Sequence, residues 1–121
     1  MDWIIIAVTA LLLFGYLFVR RKGQISAEAA RQFLRQGALL IDVRDPVEYQ
    51  AAHLDRAINI PLDEIETTVP SRIKDKDQVV LVHCQSGARS GIARNKLAAL
   101  GYTRVYNLGS YDRAAHLVSE L

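Results

Sequence analysis

Cys84 is the only cysteine in the chain, and it opens the run Cys84-Gln85-Ser86-Gly87-Ala88-Arg89-Ser90. A thiolate is among the best nucleophiles a protein can carry, provided that its charge is held. Upstream, Val79-Val80-Leu81-Val82-His83 is a near-continuous apolar run and reads as a strand buried on both faces. Downstream, a helix is expected from about Ser90. A loop wrapping a helix start turns backbone N–H groups inward, and the helix dipole adds about half a positive charge there. Gly87 lets the backbone turn without a Cβ clash. Arg89 supplies a fixed positive charge suited to a dianionic sulfur donor, while Gln85, Ser86 and Ser90 offer neutral donors. Such a cradle suits an anionic sulfur, whether thiolate or persulfide. The competing reading is an inert small hydrophobe at a strand end, which the strand–Cys–Gly–Arg–helix context disfavours. His83 alternates away from Cys84 along the strand and reads as a structural histidine rather than a base.

Spacing narrows the chemistry. Four residues separate Cys84 from Arg89, and no arginine stands at position 90. A loop that surrounds a tetrahedral phosphate or arsenate needs one residue more, so sulfur-centred chemistry is favoured over phosphatase or arsenate reductase chemistry. With one cysteine, neither an intramolecular disulfide nor a multi-cysteine metal site can form. No metal or cofactor is expected. Sulfur bound at Cys84 must leave to an external acceptor, and a reducing compartment is the simpler setting for a lone reactive thiol.

The formal net charge of +2 is located in Arg20-Arg21-Lys22; without that trio and Asp2, acidic and basic residues balance. No clustered basic face is visible, so nucleic acid is not an expected partner. Trp3 to Val19 is 17 residues without a charge, about 25 Å as a helix. A hydrocarbon core is about 30 Å thick, a difference that Asp2 and the snorkelling side chains of residues 20–22 can absorb. Trp3 and Tyr16 suit the two interfaces. A cleaved signal peptide would carry its positive charge before the apolar run, not after it. Residues 1–23 therefore read as a single-pass anchor, in the lipid bilayer of the cell (inner) membrane through residues 3–19. The positive-inside rule then places the remainder in the cytoplasm.

Residues 24–121 suit one domain. Leu39-Leu40-Ile41-Asp42-Val43 is a second buried strand, Ile58-Asn59-Ile60 and Val105-Tyr106-Asn107-Leu108 are shorter ones, and Gln24-Ile25 is an edge candidate. Ser26 caps a helix with Ala30, Phe33 and Leu34 on one face, ending at Gly37. Asp45-Pro46-Val47-Glu48 is a helix start with proline at N1 and a capping-box glutamate. A short helix is expected over Asp63–Val69, a charged connection from Ser71 to Gln78, and a terminal helix over Asp112–Ser119. A further helix has Ala93, Leu97 and Leu100 as its buried stripe and stops at Gly101. Alternating strands and helices imply a parallel α/β sheet covered on both faces, with its ligand crevice at the carboxyl ends of the strands.

Two segments carry a family resemblance over nearly all of Gln24–Leu121. One is Asp42-Val43-Arg44, Glu48-Tyr49, His53-Leu54 and Ala57-Ile58-Asn59-Ile60-Pro61. The other is Cys84 to Ser90, which fits C-x-x-G-x-R-[S/T]. Together they resemble a single-domain rhodanese. The resemblance implies a five-stranded parallel sheet with helices on both faces, preceded here by one transmembrane helix. It implies transfer of sulfane sulfur from a small donor such as thiosulfate to cyanide or a thiol, through a persulfide on Cys84. By position, Arg89 and the amides of Gln85, Ser86, Gly87, Ala88 and Ser90 would bind the donor and hold the persulfide. Asp42, Arg44 and Glu48 would form a structural ion network beside the site, with His53 in a packing role. Arg56 stands where the family has glycine, which would be strained if φ there is positive. Gly109-Ser110-Tyr111 replaces a glycine pair and a downstream tryptophan. A catalytically silent membrane-tethered binding module is the alternative function.

Overall fold

The computed structural model describes residues 1–21 and 24–121, with 19–21 by their backbone alone. The side chains of the expected Arg20-Arg21-Lys22 cluster, and the domain boundary at residue 23, lie outside the described residues. In chain order the elements are α1 (Asp2–Arg21), α2 (Ala27–Arg35), β1 (Leu39–Asp42), α3 (Pro46–Ala51), β2 (Ala57–Asn59), α4 (Ile65–Arg72), β3 (Val80–His83), α5 (Ala88–Ala99), β4 (Val105–Gly109) and α6 (Tyr111–Ser119). A 3-10 turn, Leu62–Glu64, leads into α4.

All strand pairs are parallel, in the order β2-β1-β3-β4. Alternation along each strand divides the core. Leu40 and Leu81 face the side covered by Ala30 and Leu34 of α2 and Ala114 and Leu117 of α6. Ile41, Val43, Val80, Val82 and Cys84 face Ile65 and Val69 of α4 and Ala93 and Leu97 of α5. Burial on both faces is why β1 and β3 read as continuous apolar runs.

Among the described residues the sheet has four strands, where five were expected. The fifth is reduced to a single bridge between Gln24 and Asn107. Ser26, two residues further on, is already the N-cap of α2, with its hydroxyl accepting the Ala29 N–H at 3.3 Å. The cap ends the extended stretch before a ladder can form. The helix ends at Gly37 and Gly101 are as expected, with φ of +86° and +96°. Helix α5 starts at Ala88 rather than Ser90, because Gly87 (φ +97°) takes the cap position. Leu100 lies beyond its last turn and is 36% exposed, so of the three residues expected in the buried stripe Ala93 and Leu97 are buried, joined by Ser90 and Gly91. Helix α4 runs past Val69 to Arg72, closed by the Ile73 N–H on Val69 O at 2.8 Å.

Arg56 carries no backbone strain, since no non-glycine residue among those described has positive φ. Its Nη2 instead donates to Leu34 O at 2.8 Å, satisfying a carbonyl in the last turn of α2. Helix α1 lies beside α5, with Met1 to Tyr16 exposed and Leu17 half-buried. Among the described residues, no helix is long and apolar enough to cross a membrane. The span expected over residues 3–19 is thus not supported by the fold. Its uncharged run of about 25 Å falls short of the roughly 30 Å hydrocarbon core.

Candidate active site

β3 ends at His83, and Cys84 begins the loop that leads into α5 at the carboxyl edge of the sheet. The Cys84 backbone N–H donates to Gly109 O at 3.2 Å, fastening the loop to the end of β4. Its side chain is fully buried. Around Sγ stand the Gly87 N–H at 3.0 Å, the Ser90 N–H at 3.4 Å and the Ser90 hydroxyl at 3.4 Å. The left-handed φ of Gly87 accompanies the turn that aims its N–H at the sulfur, and any side chain there would be strained. The expected cradle is present, built from three donors of Gly87 and Ser90. The other loop residues brace it. Ala88 N–H donates to Ser86 Oγ at 3.4 Å, Ser86 bridges to Ser110, and Gln85 O accepts the Tyr111 N–H at 3.2 Å.

Two ion pairs flank the loop. Arg89 makes a two-pronged pair with Glu48 of α3, at 2.6 and 3.0 Å. The arginine holds the Glu48 carboxyl below its usual range, and the carboxylate raises the Arg89 guanidinium. Arg89 is therefore one half of a pair, not the isolated charge that spacing implied. Arg44 forms the second pair, with Asp42. Its Nε lies 3.0 Å from both carboxylate oxygens, its Nη2 lies 2.8 Å from Oδ2, and its backbone N–H donates to Oδ1 at 2.9 Å. The Arg44 Nη2 also donates to Ala52 O at 2.7 Å, Nη1 reaches Gln85 Oε1 at 3.4 Å, and the guanidinium lies 4.7 Å over the Tyr111 ring. Asp42 and Arg44 are buried, and the hydrogen bonds that Arg44 donates to the Asp42 carboxylate push its guanidinium further up. Asn59 closes this corner by donating to the carbonyls of Asp42 and Arg44, both at 3.0 Å. His53 sits apart from the sulfur, stacked on Tyr49 at 3.9 Å with its Nδ1 2.8 Å from Tyr49 O.

His83 faces away from Cys84, toward Asp42 and Tyr111. Its Nδ1 lies 3.2 Å from Cys84 O; a carbonyl only accepts, so Nδ1 carries the proton. Nε2 is then a lone pair, 3.7 Å from Asp42 Oδ2 and without a hydrogen-bond partner. Burial holds the His83 imidazolium pKa below its usual value, outweighing the pull of Asp42. The unfolded chain takes up this proton near pH 6.5, whereas the folded chain takes it up at lower pH. Stability from this group is complete above pH 6.5 and is lost as pH falls from there toward the folded value. Thermal melts should therefore decline between about pH 7 and 5, and His83→Gln should flatten the decline. A slope unchanged by His83→Gln would contradict this. Glu48, held below its ordinary value near 4.5, acts in a lower window.

Sequence reasoning missed two residues. Asn107 of β4 is fully buried and donates to Gly87 O, while its Oδ1 accepts from Ser90 and Gly109. Tyr111 was noted only as a substitution, yet it packs on Arg44 and His83. A polar residue inside an apolar strand was the signal available for Asn107.

The comparisons decide the family. A family model described as "Rhodanese-like domain" matches residues 26–114. The chain belongs to the rhodanese-like domain family. The thiosulfate sulfurtransferase PspE of Escherichia coli (strain K12) is 45% identical over 69 residues, covering 57% of this chain and 66% of that protein. The match thus spans slightly less than two-thirds of that relative. A solved rhodanese with anions from E. coli superposes with a TM-score of 0.61 at 40% identity, covering 64% of this chain and 91% of that one. The human single-domain sulfurtransferase TSTD1 gives 0.67 at 28%, covering 78% and 96%. In this rhodanese-like domain, Cys84 and its loop occupy the carboxyl edge of the sheet, where α/β proteins place their ligands.

Proposed function

We propose that this rhodanese-like domain transfers sulfane sulfur through a persulfide on Cys84. One observation carries the reading: Cys84 Sγ lies at the focus of the Gly87 and Ser90 N–H groups and the Ser90 hydroxyl. The names of the relatives point the same way, thiosulfate sulfurtransferase for one and a rhodanese with anions for another. In the first step the Cys84 thiolate attacks the outer sulfur of thiosulfate. The S–S bond of the donor breaks, sulfite leaves with its electron pair, and Cys84–S–S⁻ remains. In the second, cyanide or a thiolate attacks the outer sulfur and the Cys84 thiolate departs, closing the cycle without an oxidant or reductant. Arg89 with Glu48, and the amides of Gln85, Ser86 and Ala88, form the mouth that receives the donor. The persulfide charge falls among the loop donors, so both half-reactions exploit one cradle.

The two half-reactions share one form of the protein and never a ternary complex, so the kinetics should be ping-pong. Initial rates across thiosulfate and cyanide concentrations should give parallel double-reciprocal lines. Intersecting lines would contradict the persulfide, and absence of turnover would favour a binding module.

The reading includes attachment to the inner membrane with the site in the cytoplasm. Ile5, Ile6, Leu11 and Phe14 are 65–70% exposed, an apolar surface that lipid covers at lower free energy than water. Thiosulfate is soluble, and the cellular acceptor is a thiol. The chain should stay in the membrane pellet after an alkaline carbonate wash; its release would remove the anchor from the account.

A further inference from the structure

We infer that Asn107 is a positioning residue of the sulfur site, holding the Ser90 hydroxyl in reserve and releasing it to Cys84 Sγ whenever that sulfur carries charge. The inference rests on the sulfur-transfer reading. An asparagine fully buried within a parallel strand is costly unless its amide is satisfied. The side-chain amide of Asn107 finds partners around the sulfur loop. Nδ2 donates to Gly87 O at 3.1 Å, and Oδ1 accepts the Gly109 N–H at 2.9 Å and the Ser90 hydroxyl at 2.7 Å. Because a backbone N–H can only donate, the Gly109 contact fixes which end of the amide is oxygen.

Ser90 Oγ has one proton and four acceptors within reach. They are Asn107 Oδ1 at 2.7 Å, Gly87 O at 3.1 Å, Cys84 Sγ at 3.4 Å and Gly109 O at 3.5 Å. Beside a neutral sulfur the short oxygen contact takes the proton. A thiolate reverses the order, since hydrogen bonds to an ionised acceptor are roughly twice as strong. Rotation of the hydroxyl alone swings the proton from Oδ1 to Sγ. Asn107 Oδ1 keeps the Gly109 N–H meanwhile, so the switch strips no buried acceptor bare. Charge resides on Sγ twice per turnover, as the attacking thiolate and as the departing one. In the persulfide it moves to the outer sulfur, and the hydroxyl returns to Asn107. Asn107 and Ser90 thus act as one unit on both chemical steps.

The test is a double-mutant cycle on thiosulfate-to-cyanide transfer by the full chain, with Asn107→Ala, Ser90→Ala and the pair. Each single change should lower kcat on the order of tenfold, with KM for thiosulfate moving less than about twofold. The double variant should be no slower than the slower single one, and losses that multiply would overturn the coupling. Should Asn107→Ala fail to fold, the parent chain still decides. Its Asn107 side-chain amide NMR signal should differ between the protein with Cys84 as thiolate and the persulfide. In Ser90→Ala the two should coincide. An Asn107 signal that does not move in the parent would overturn the inference while leaving sulfur transfer intact. A parent chain that forms no persulfide and shows no turnover would overturn both.

Discussion

Cys84→Ser protein is expected to keep its fold and to transfer no sulfur. The substitution changes one buried atom, and a hydroxyl at that place still meets the Gly87 and Ser90 N–H groups. The change in stability should be about 1 kcal/mol or less. The chemistry has no such tolerance. Attack on sulfane sulfur needs a soft, ionised nucleophile, and a serine hydroxyl is neither at neutral pH. Thiosulfate-to-cyanide turnover should fall at least about a thousandfold, the scale seen when a covalent nucleophile is removed. The check is the rate measured beside a thermal melt. A folded Cys84→Ser variant with parental turnover would sink the mechanism.

Asp42→Ala should be the most damaging substitution for stability outside the core. Asp42 is fully buried, and its carboxylate accepts hydrogen bonds from the Arg44 backbone N–H, Nε and Nη2, with Arg44 itself 4% exposed. Removing the carboxylate strands a buried guanidinium that keeps only Ala52 O, the longer Gln85 contact and the Tyr111 ring. Breaking one side of a buried pair costs about 3–5 kcal/mol, a large share of the roughly 5–15 kcal/mol that stabilises a domain. The melting temperature should fall by roughly 12–40 °C, at about 4–8 °C per kcal/mol for a domain of this size. Replacing Arg44 by methionine in the same chain should recover much of the loss, because the uncompensated charge is gone. A single variant that melts within a few degrees of the parent would show that the pair contributes little.

What could be read from the sequence was local. Cys84, Gly87 and Arg89 fall within six residues, so the turn, the helix start and the sulfur are visible together. Asp42 and Arg44 alternate on one strand edge and pair as two-residue neighbours. Helix caps at Ser26, Gly37 and Gly101 declare themselves by residue type. What could not be read was set by contacts distant in the chain. Arg89 and Glu48 are 41 positions apart, and nothing in either segment says that they neutralise each other. Asn107 reaches Ser90 and Gly87 across 17 and 20 positions, and within its own strand it reads as one more polar residue. The fifth strand was over-read because Gln24-Ile25 suits an edge. Its length depends on where the Ser26 cap takes over, and pairing and capping compete for the same few residues.

The central claim is that sulfur resides on Cys84, and the most direct measurement is the intact mass of the full chain in detergent before and after thiosulfate, then after cyanide. A gain of about 32 Da, one sulfur atom, is predicted. It should map to Cys84 and disappear with cyanide. No gain in folded protein whose Cys84 is reduced would contradict the persulfide, and with it the assignment of this site to sulfur transfer.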